Sequence, residues 1–127
     1  MANWGTAISM NDTYADIFGA FIQMYNDGLE AGEITEKLIA GNQDIINDGE
    51  ECNNFWFALA KAQWECRELD PKVMERVKVI IESGADIELW QFLKADEEEI
   101  GERKAVLTRF YRELQTDKFK ARPRKKK

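Results

Sequence analysis

The chain contains no histidine among its 127 residues. Histidine is the commonest general acid or base near neutral pH and the commonest metal ligand. Its absence excludes Ser-His-Asp and Cys-His nucleophile systems, His-containing zinc sites and Glu-x-x-His di-iron sites. Phosphate-cradling loops are missing as well, since neither Gly-x-x-x-x-Gly-Lys-Ser/Thr nor Gly-x-Gly-x-x-Gly occurs. No stretch approaches the ~18 uninterrupted apolar residues of a membrane span. The opening Met1-Ala2-Asn3-Trp4-Gly5 lacks the basic and apolar regions of a secretory signal, so a cytoplasmic location is the expectation. Cysteine is limited to Cys52 and Cys66. On one predicted helix these stand about 21 Å apart by helical rise, far beyond the ~7 Å a disulfide tolerates, so reduced thiols are expected.

Aromatic residues and acids are abundant: four Trp, seven Phe, three Tyr and 24 Asp or Glu. A chain of this size is expected to form one domain burying roughly two-thirds of its unfolded surface, which is enough to fold without disulfides or metal. The net charge of −6 hides an asymmetry. Residues 118–127, KFKARPRKKK, hold seven basic groups and no acid, leaving the preceding 117 residues with 11 basic against 24 acidic side chains, a net −13. Such a field repels nucleic acid and attracts basic partners, and the basic segment does the reverse.

Helical periodicity recurs along the chain and strand alternation does not. A helix is predicted from Asn11 or Asp12, both good N-caps, to Gly28, with Tyr14, Ile17, Phe18, Phe21, Ile22 and Tyr25 on one face. A second spans about Glu33–Asn47, with a break near Gly41-Asn42. The third, about Glu51–Leu69, carries Phe55, Leu59, Ala62, Cys66 and Leu69 in one stripe, and only Asn54, Lys61, Glu65 and Glu68 make a polar strip. So narrow a wet face predicts a central helix. Asp70-Pro71 reads as an N-cap and first helical position, opening a helix that ends at Gly84. Asp86 is expected to cap a short helix holding Leu89, Trp90 and Leu93. The Asp96-Glu97-Glu98-Glu99 run starts the last helix, whose apolar face is Ile100, Leu107, Phe110, Tyr111 and Leu114. The expected fold is all-α: a single domain of five or six helices over residues 1–116, packed as consecutive helical hairpins, followed by a disordered basic tail at 117–127. Ile45-Ile46-Asn47-Asp48-Gly49 before Trp56 is echoed by Ile80-Ile81-Glu82-Ser83-Gly84 before Trp90, which is consistent with stacked hairpins.

Trp4-Gly5-Thr6, Asn11-Asp12-Thr13 and Asp16 match in register a W-G-T-G-P-F-x-N-D-T-x-x-D pattern, with Ala7, Ile8 and Ser9 in place of Gly-Pro-Phe. In these residues the chain resembles a bacterial domain family of unassigned function. Ala58-Leu59-Ala60, Gln63-Trp64-Glu65, Gly84-Ala85-Asp86 and Trp90 also look like the pattern of small bacterial proteins. The resemblance implies a bacterial or phage cytosolic protein and carries over no catalytic residue.

No enzyme chemistry is read from the remaining residues, and no cofactor or metal site is expected. Asp44, Asp48, Glu50 and Glu51 lack the acid-glycine-acid order of an EF-hand loop and fit a solvated loop or an acidic docking face. Phe57 and Trp64 flank the polar strip of the third helix, where they serve either as core or as interface anchors. The expected function is that of a non-enzymatic inhibitory binding protein of immunity or antitoxin type. It would neutralise a basic, nuclease-like toxin through Asp44, Asp48, Glu50 and Glu51, with Phe57 or Trp64 at the centre. The alternative is a nucleic-acid-linked accessory protein or DNA mimic acting through its charge or basic tail. For the tail itself three roles are open: a flexible solubilising end, weak attraction to nucleic acid through counterion release, or folding back onto the acidic body.

Overall fold

In a computed structural model describing residues 11–124, the Asn11 side chain accepts the Tyr14 N–H at 3.0 Å and starts α1 (Asp12–Asn26). Gly28, at φ 105°, ends it, and the Leu29 N–H returns to the Met24 carbonyl as in a Schellman turn. Trp4, Gly5 and Thr6 of the N-terminal pattern lie outside the described residues, as do Lys125–Lys127. The predicted 33–47 stretch is two helices, α2 (Ala31–Gly41) and α3 (Gln43–Ile46), broken at Asn42, whose side chain caps the Leu38 carbonyl at 2.8 Å. α4 (Cys52–Glu65) follows, and it stops four residues before the expected Leu69 because Arg67 takes a left-handed φ of 57°. Asp70 caps α5 (Pro71–Glu82) by accepting the Lys72 N–H at 2.8 Å. Gly84, at φ 77°, turns the chain into α6 (Ala85–Phe92). Asp96 and Glu99 form a capping box at the head of α7 (Glu97–Leu114). The described residues are thus all-helical, with seven helices where five or six were expected, and the split at Asn42 accounts for the extra one.

α4 is the centre of the core. From Asn53 through Ala60 every residue is buried, and α4 touches α1, α3, α5 and α7. Its most extensive partner is α1, which is not its neighbour in sequence, so consecutive hairpins do not describe the main packing contact. Hydrogen bonds fix the directions. Thr13 at the head of α1 donates to Glu51 at the head of α4, while Tyr25 and Glu65 at their tails both bond Arg122. α7 runs alongside in the same direction, with Phe57 against Phe110, Lys61 paired to Glu113, and the Trp64 indole N–H donating to the Thr116 carbonyl at 2.8 Å. α2, packed on α1, and α5, packed on α4 and α7, run the opposite way. Buried Gln63, at the tail of α4, donates to Thr35 near the head of α2 at 2.7 Å and accepts the Asp70 N–H ahead of α5 at 3.0 Å. α1, α4 and α7 therefore point their C-terminal ends at one pole of the molecule.

Two expectations for side chains are corrected. Asn54 is buried, held by Glu51, and is not part of a wet strip. Asp86 is not a cap: Gly84 holds that position, and Asp86 sits in the first turn of α6 with 1% exposure. Its partner is Arg103, 2% exposed on α7, whose Nε lies 2.7 Å from Oδ2. Asn53 of α4 donates to the same carboxylate at 3.3 Å, and the guanidinium lies 4.9 Å from the Trp90 ring centroid and 5.8 Å from that of Phe57. One buried charge pair thus joins α4, α6 and α7, with aromatic rings around the cation. Removing one partner of such a pair strands the other in the core, at a cost of about 3–5 kcal/mol. Arg103→Met, which leaves the Asp86 carboxylate buried without its cation, should lower the unfolding free energy by that amount in urea titrations. The double variant Asp86→Leu with Arg103→Met should lose distinctly less, because no lone charge is left behind.

Candidate functional site

The six residues singled out from sequence do not form one surface. Asp44 on α3, with Asp48 and Glu50 in the turn that follows, is exposed, and the Asp48 side chain accepts the Glu50 N–H at 2.8 Å, which sets the turn. Glu51 is half-buried and occupied inside the fold, accepting from Thr13 Oγ1 at 2.9 Å and from the Asn54 amide. Phe57 is 0% exposed, with its ring 5.4 Å from that of Phe110, so it is core and cannot touch a partner. Trp64 is half-buried at the far end of α4 from the acidic turn. Over the 14 residues of α4 that separation is on the order of 20 Å.

The pole around Trp64 is where side chains of opposite charge are assembled. A helix C-terminus carries a partial negative charge and up to four unpaired carbonyls. Here three such ends converge, and the last turns of α1 and α4 contain no basic residue. Residues 118–124 supply what is missing. This segment is non-helical, yet it is not a free end: it lies across the pole as a strap, which is the fold-back role among the three read from sequence. The Arg122 N–H donates to the carbonyl of Glu65, the last residue of α4, at 2.8 Å, and the Arg122 carbonyl accepts the Tyr25 hydroxyl at 2.7 Å. Lys118 Nζ and Arg122 Nη1 bond Glu65 Oε1 at 3.0 and 3.1 Å, with Lys61 Nζ 3.7 Å from Oε2. Arg124 reaches the end of α1, donating to the carbonyls of Tyr25 and Leu29, pairing with Glu30, and placing its guanidinium 4.1 Å from the Tyr25 ring centroid. Trp64 is held among cations, with Lys61 and Lys118 ammoniums 4.4 and 5.5 Å from its ring. Its indole thus packs where the strap leaves α7.

Titration follows from this geometry. Burial alone would raise the Glu65 carboxyl, but the Lys118 hydrogen bond and charge, joined by Lys61 and Arg122, outweigh it and hold it below the ordinary 4.5. Burial, the nearby Cys66 and the Glu30 charge raise the Tyr25 phenol, against the lowering effect of Arg124. Burial and the Glu65 charge raise the Cys66 thiol to about 11, against the charges of Arg122 and Arg124. Burial, with Glu113 and Glu65, also raises the Tyr14 phenol. Among the described residues no three His, Cys, Asp or Glu side chains are grouped closely enough to hold a metal, and no helix is long and apolar enough to cross a membrane. The pole offers hydrogen bonds and charge to an extended chain, which is the equipment of recognition.

Comparison with protein-family models, curated proteins and solved structures finds no match. The residues that sequence reasoning missed are Tyr25, Glu30, Glu65 and Arg122 at the pole, and Arg103 in the core. Arg103 carried a usable signal, since it stands in the apolar stripe between Ile100 and Leu107. The pole residues carried none, because their meeting depends on the parallel course of α1 and α4.

Two measurements check the chemistry of the pole. With its pKa pushed up to about 11 and its side chain buried, Cys66 is held as the thiol near neutral pH, so in the folded protein it should react with a thiol reagent far more slowly than the half-buried Cys52, and at full rate in denaturant. For Glu65 the folded value lies below the unfolded one, so its stabilisation is complete above about pH 4.5 and is lost as pH falls through the lower folded value. Glu65→Gln should lower stability at pH 7 by about 1–2 kcal/mol in urea titrations, and the gap to the wild type should narrow below pH 4.5.

Proposed function

We propose that the chain is a non-enzymatic binding protein that inhibits a basic protein partner, an immunity or antitoxin type of protein from a bacterium or phage, acting on a nuclease-like toxin domain in the cytoplasm. The supporting observation is the division of charge within the fold. Lys118, Arg122 and Arg124 are engaged with Glu65 and Glu30 at one pole, while Asp44, Asp48 and Glu50 face solvent some 20 Å away and have no ion-pair partner among the described residues. That end keeps an uncompensated negative field suited to steer a cationic cleft into contact. Asp44, Asp48 and Glu50 are its contact residues. Glu51 supports the turn from behind, and neither Phe57 nor Trp64 belongs to this face. The nucleic-acid alternative, acting through charge or the basic tail, has three of the segment's seven cations engaged with the body of the molecule.

The experiment first asks whether the gene adjoins one encoding a toxin-like domain, and uses that domain as the probe; an unrelated gene context with no basic partner recovered would overturn the reading. Reversing Asp44, Asp48 and Glu50 to lysine should reduce the association rate at least about tenfold at 0.01 M salt. The loss should shrink as the Debye length falls from ~30 Å to ~8 Å at 0.15 M. Unchanged association at low salt would place the functional face elsewhere. Displacement by duplex DNA in place of a protein partner would favour mimicry.

A further inference from the structure

The strap contacts are made by a short extended sequence, and their form is that of ligand recognition. At Arg122 both main-chain groups are paired, the N–H to Glu65 and the carbonyl to the Tyr25 hydroxyl. These bonds would accept any residue but proline at that point. Selectivity comes from two guanidinium seats two residues apart. In the first, Arg122 pairs with Glu65 and lies 5.8 Å from the Phe18 ring. In the second, Arg124 meets the Tyr25 carbonyl in the last turn of α1, the Leu29 carbonyl in the link to α2, Glu30 and the Tyr25 ring. Pro123 between them disfavours the helical region at Arg122. Little apolar surface holds the segment down: Phe119, its one aromatic, is 91% exposed. Bonds of this kind exchange readily, because each is partly open to water and screened.

We propose that this pole is a recognition site for an extended basic segment of the Arg-x-Arg type, occupied in the free chain by its own residues 118–124 and opened when a basic segment of another protein takes their place. The proposal concerns a different face from the acidic turn and does not depend on that reading. Only Gln115–Asp117 connect the strap to α7. So short a link gives the internal segment an effective concentration in the millimolar range, which a competing segment must overcome. The strap therefore sets an affinity threshold. It admits strongly basic extended partners and keeps weak ones out.

The test uses the full chain. In one variant Lys118, Arg122 and Arg124 are all replaced by Gln, and in a milder one only Arg122 and Arg124 are replaced by Ser. The probe is a fluorescent peptide with the sequence of residues 118–124, Lys-Phe-Lys-Ala-Arg-Pro-Arg, followed by anisotropy at low salt, with circular dichroism confirming the fold of each variant. The released variants should bind the peptide about tenfold or more tightly than the wild type. Adding Glu65→Gln should remove most of that gain. A permuted peptide of the same composition with adjacent arginines should bind at least about fivefold more weakly. Equal binding to wild type and released chains, no binding to either, or equal binding of the permuted peptide would overturn the proposal. A wild-type dimer that dissolves on adding peptide would also overturn it, since the occupant would then be the same segment of a second copy.

Discussion

The parallel course of α1, α4 and α7 is the constraint on which the rest of the structure depends. α4 is apolar around most of its circumference, so it must be enclosed on every side. The long helices α1, α2, α4, α5 and α7 reverse direction in turn, with the short α3 and α6 falling within the connections, so enclosing α4 places the first, central and last long helices side by side with the same polarity. Their burial is favourable, but their dipoles add. The heads are provided for locally, by Asn11 and by the Asp96–Glu99 capping box, and acids occupy the first turns of α1 and α7. At the tails only α7 has its own basic residue, Arg112. The basic strap completes the opposite end, and the acidic body and basic segment together form one electrostatic design.

The two ionic systems of the molecule differ in kind. Asp86 and Arg103 are removed from water and enclosed by Trp90, Phe57 and Asn53, so their pairing admits few alternatives. A buried pair of this sort gains little over a well-packed apolar group, and what it secures is the register of α6 against α7. Glu65 and its three cations remain partly hydrated, so each bond there is weak and replaceable. Rigidity in the core and exchangeability at the pole follow from the same residue types at different depths.

Most of the fold was legible because its signals are local. Asn11, Gly28, Asp70-Pro71, Gly84 and Asp96–Glu99 mark helix ends by chemistry that acts over three or four residues, and each boundary lies where that chemistry places it. Asn42 was legible as a break for the same reason. The errors lie where tertiary contact decides. The end of α4 at Glu65 depends on a left-handed Arg67, a conformation that no glycine announces. Asp86 looks like a cap in sequence, and only the approach of Arg103 from α7 makes it a core residue. The placing of Phe57 inside and Trp64 at the surface could not be separated by periodicity, because both flank the same polar strip. The docking of residues 118–124 was one of three open roles, and its partners were invisible because Tyr25 and Glu65 are brought together only by the packing of α1 on α4.

The strap also closes a loop. The contacts from Tyr25 to Arg122 and from Leu29 to Arg124 join residues 97 and 95 positions apart, so they clasp nearly the whole described chain into a ring without a covalent bond. Loop closure on that scale carries its entropic penalty before any contact is gained, so such contacts are expected to form after the local helices and the α1–α4 core. Interactions absent from the folding transition state leave the rate of folding almost unchanged and act on the rate of unfolding. While it is docked, the basic segment therefore acts on the rate of unfolding and hardly on the rate of folding, and a partner that displaces it removes that contribution.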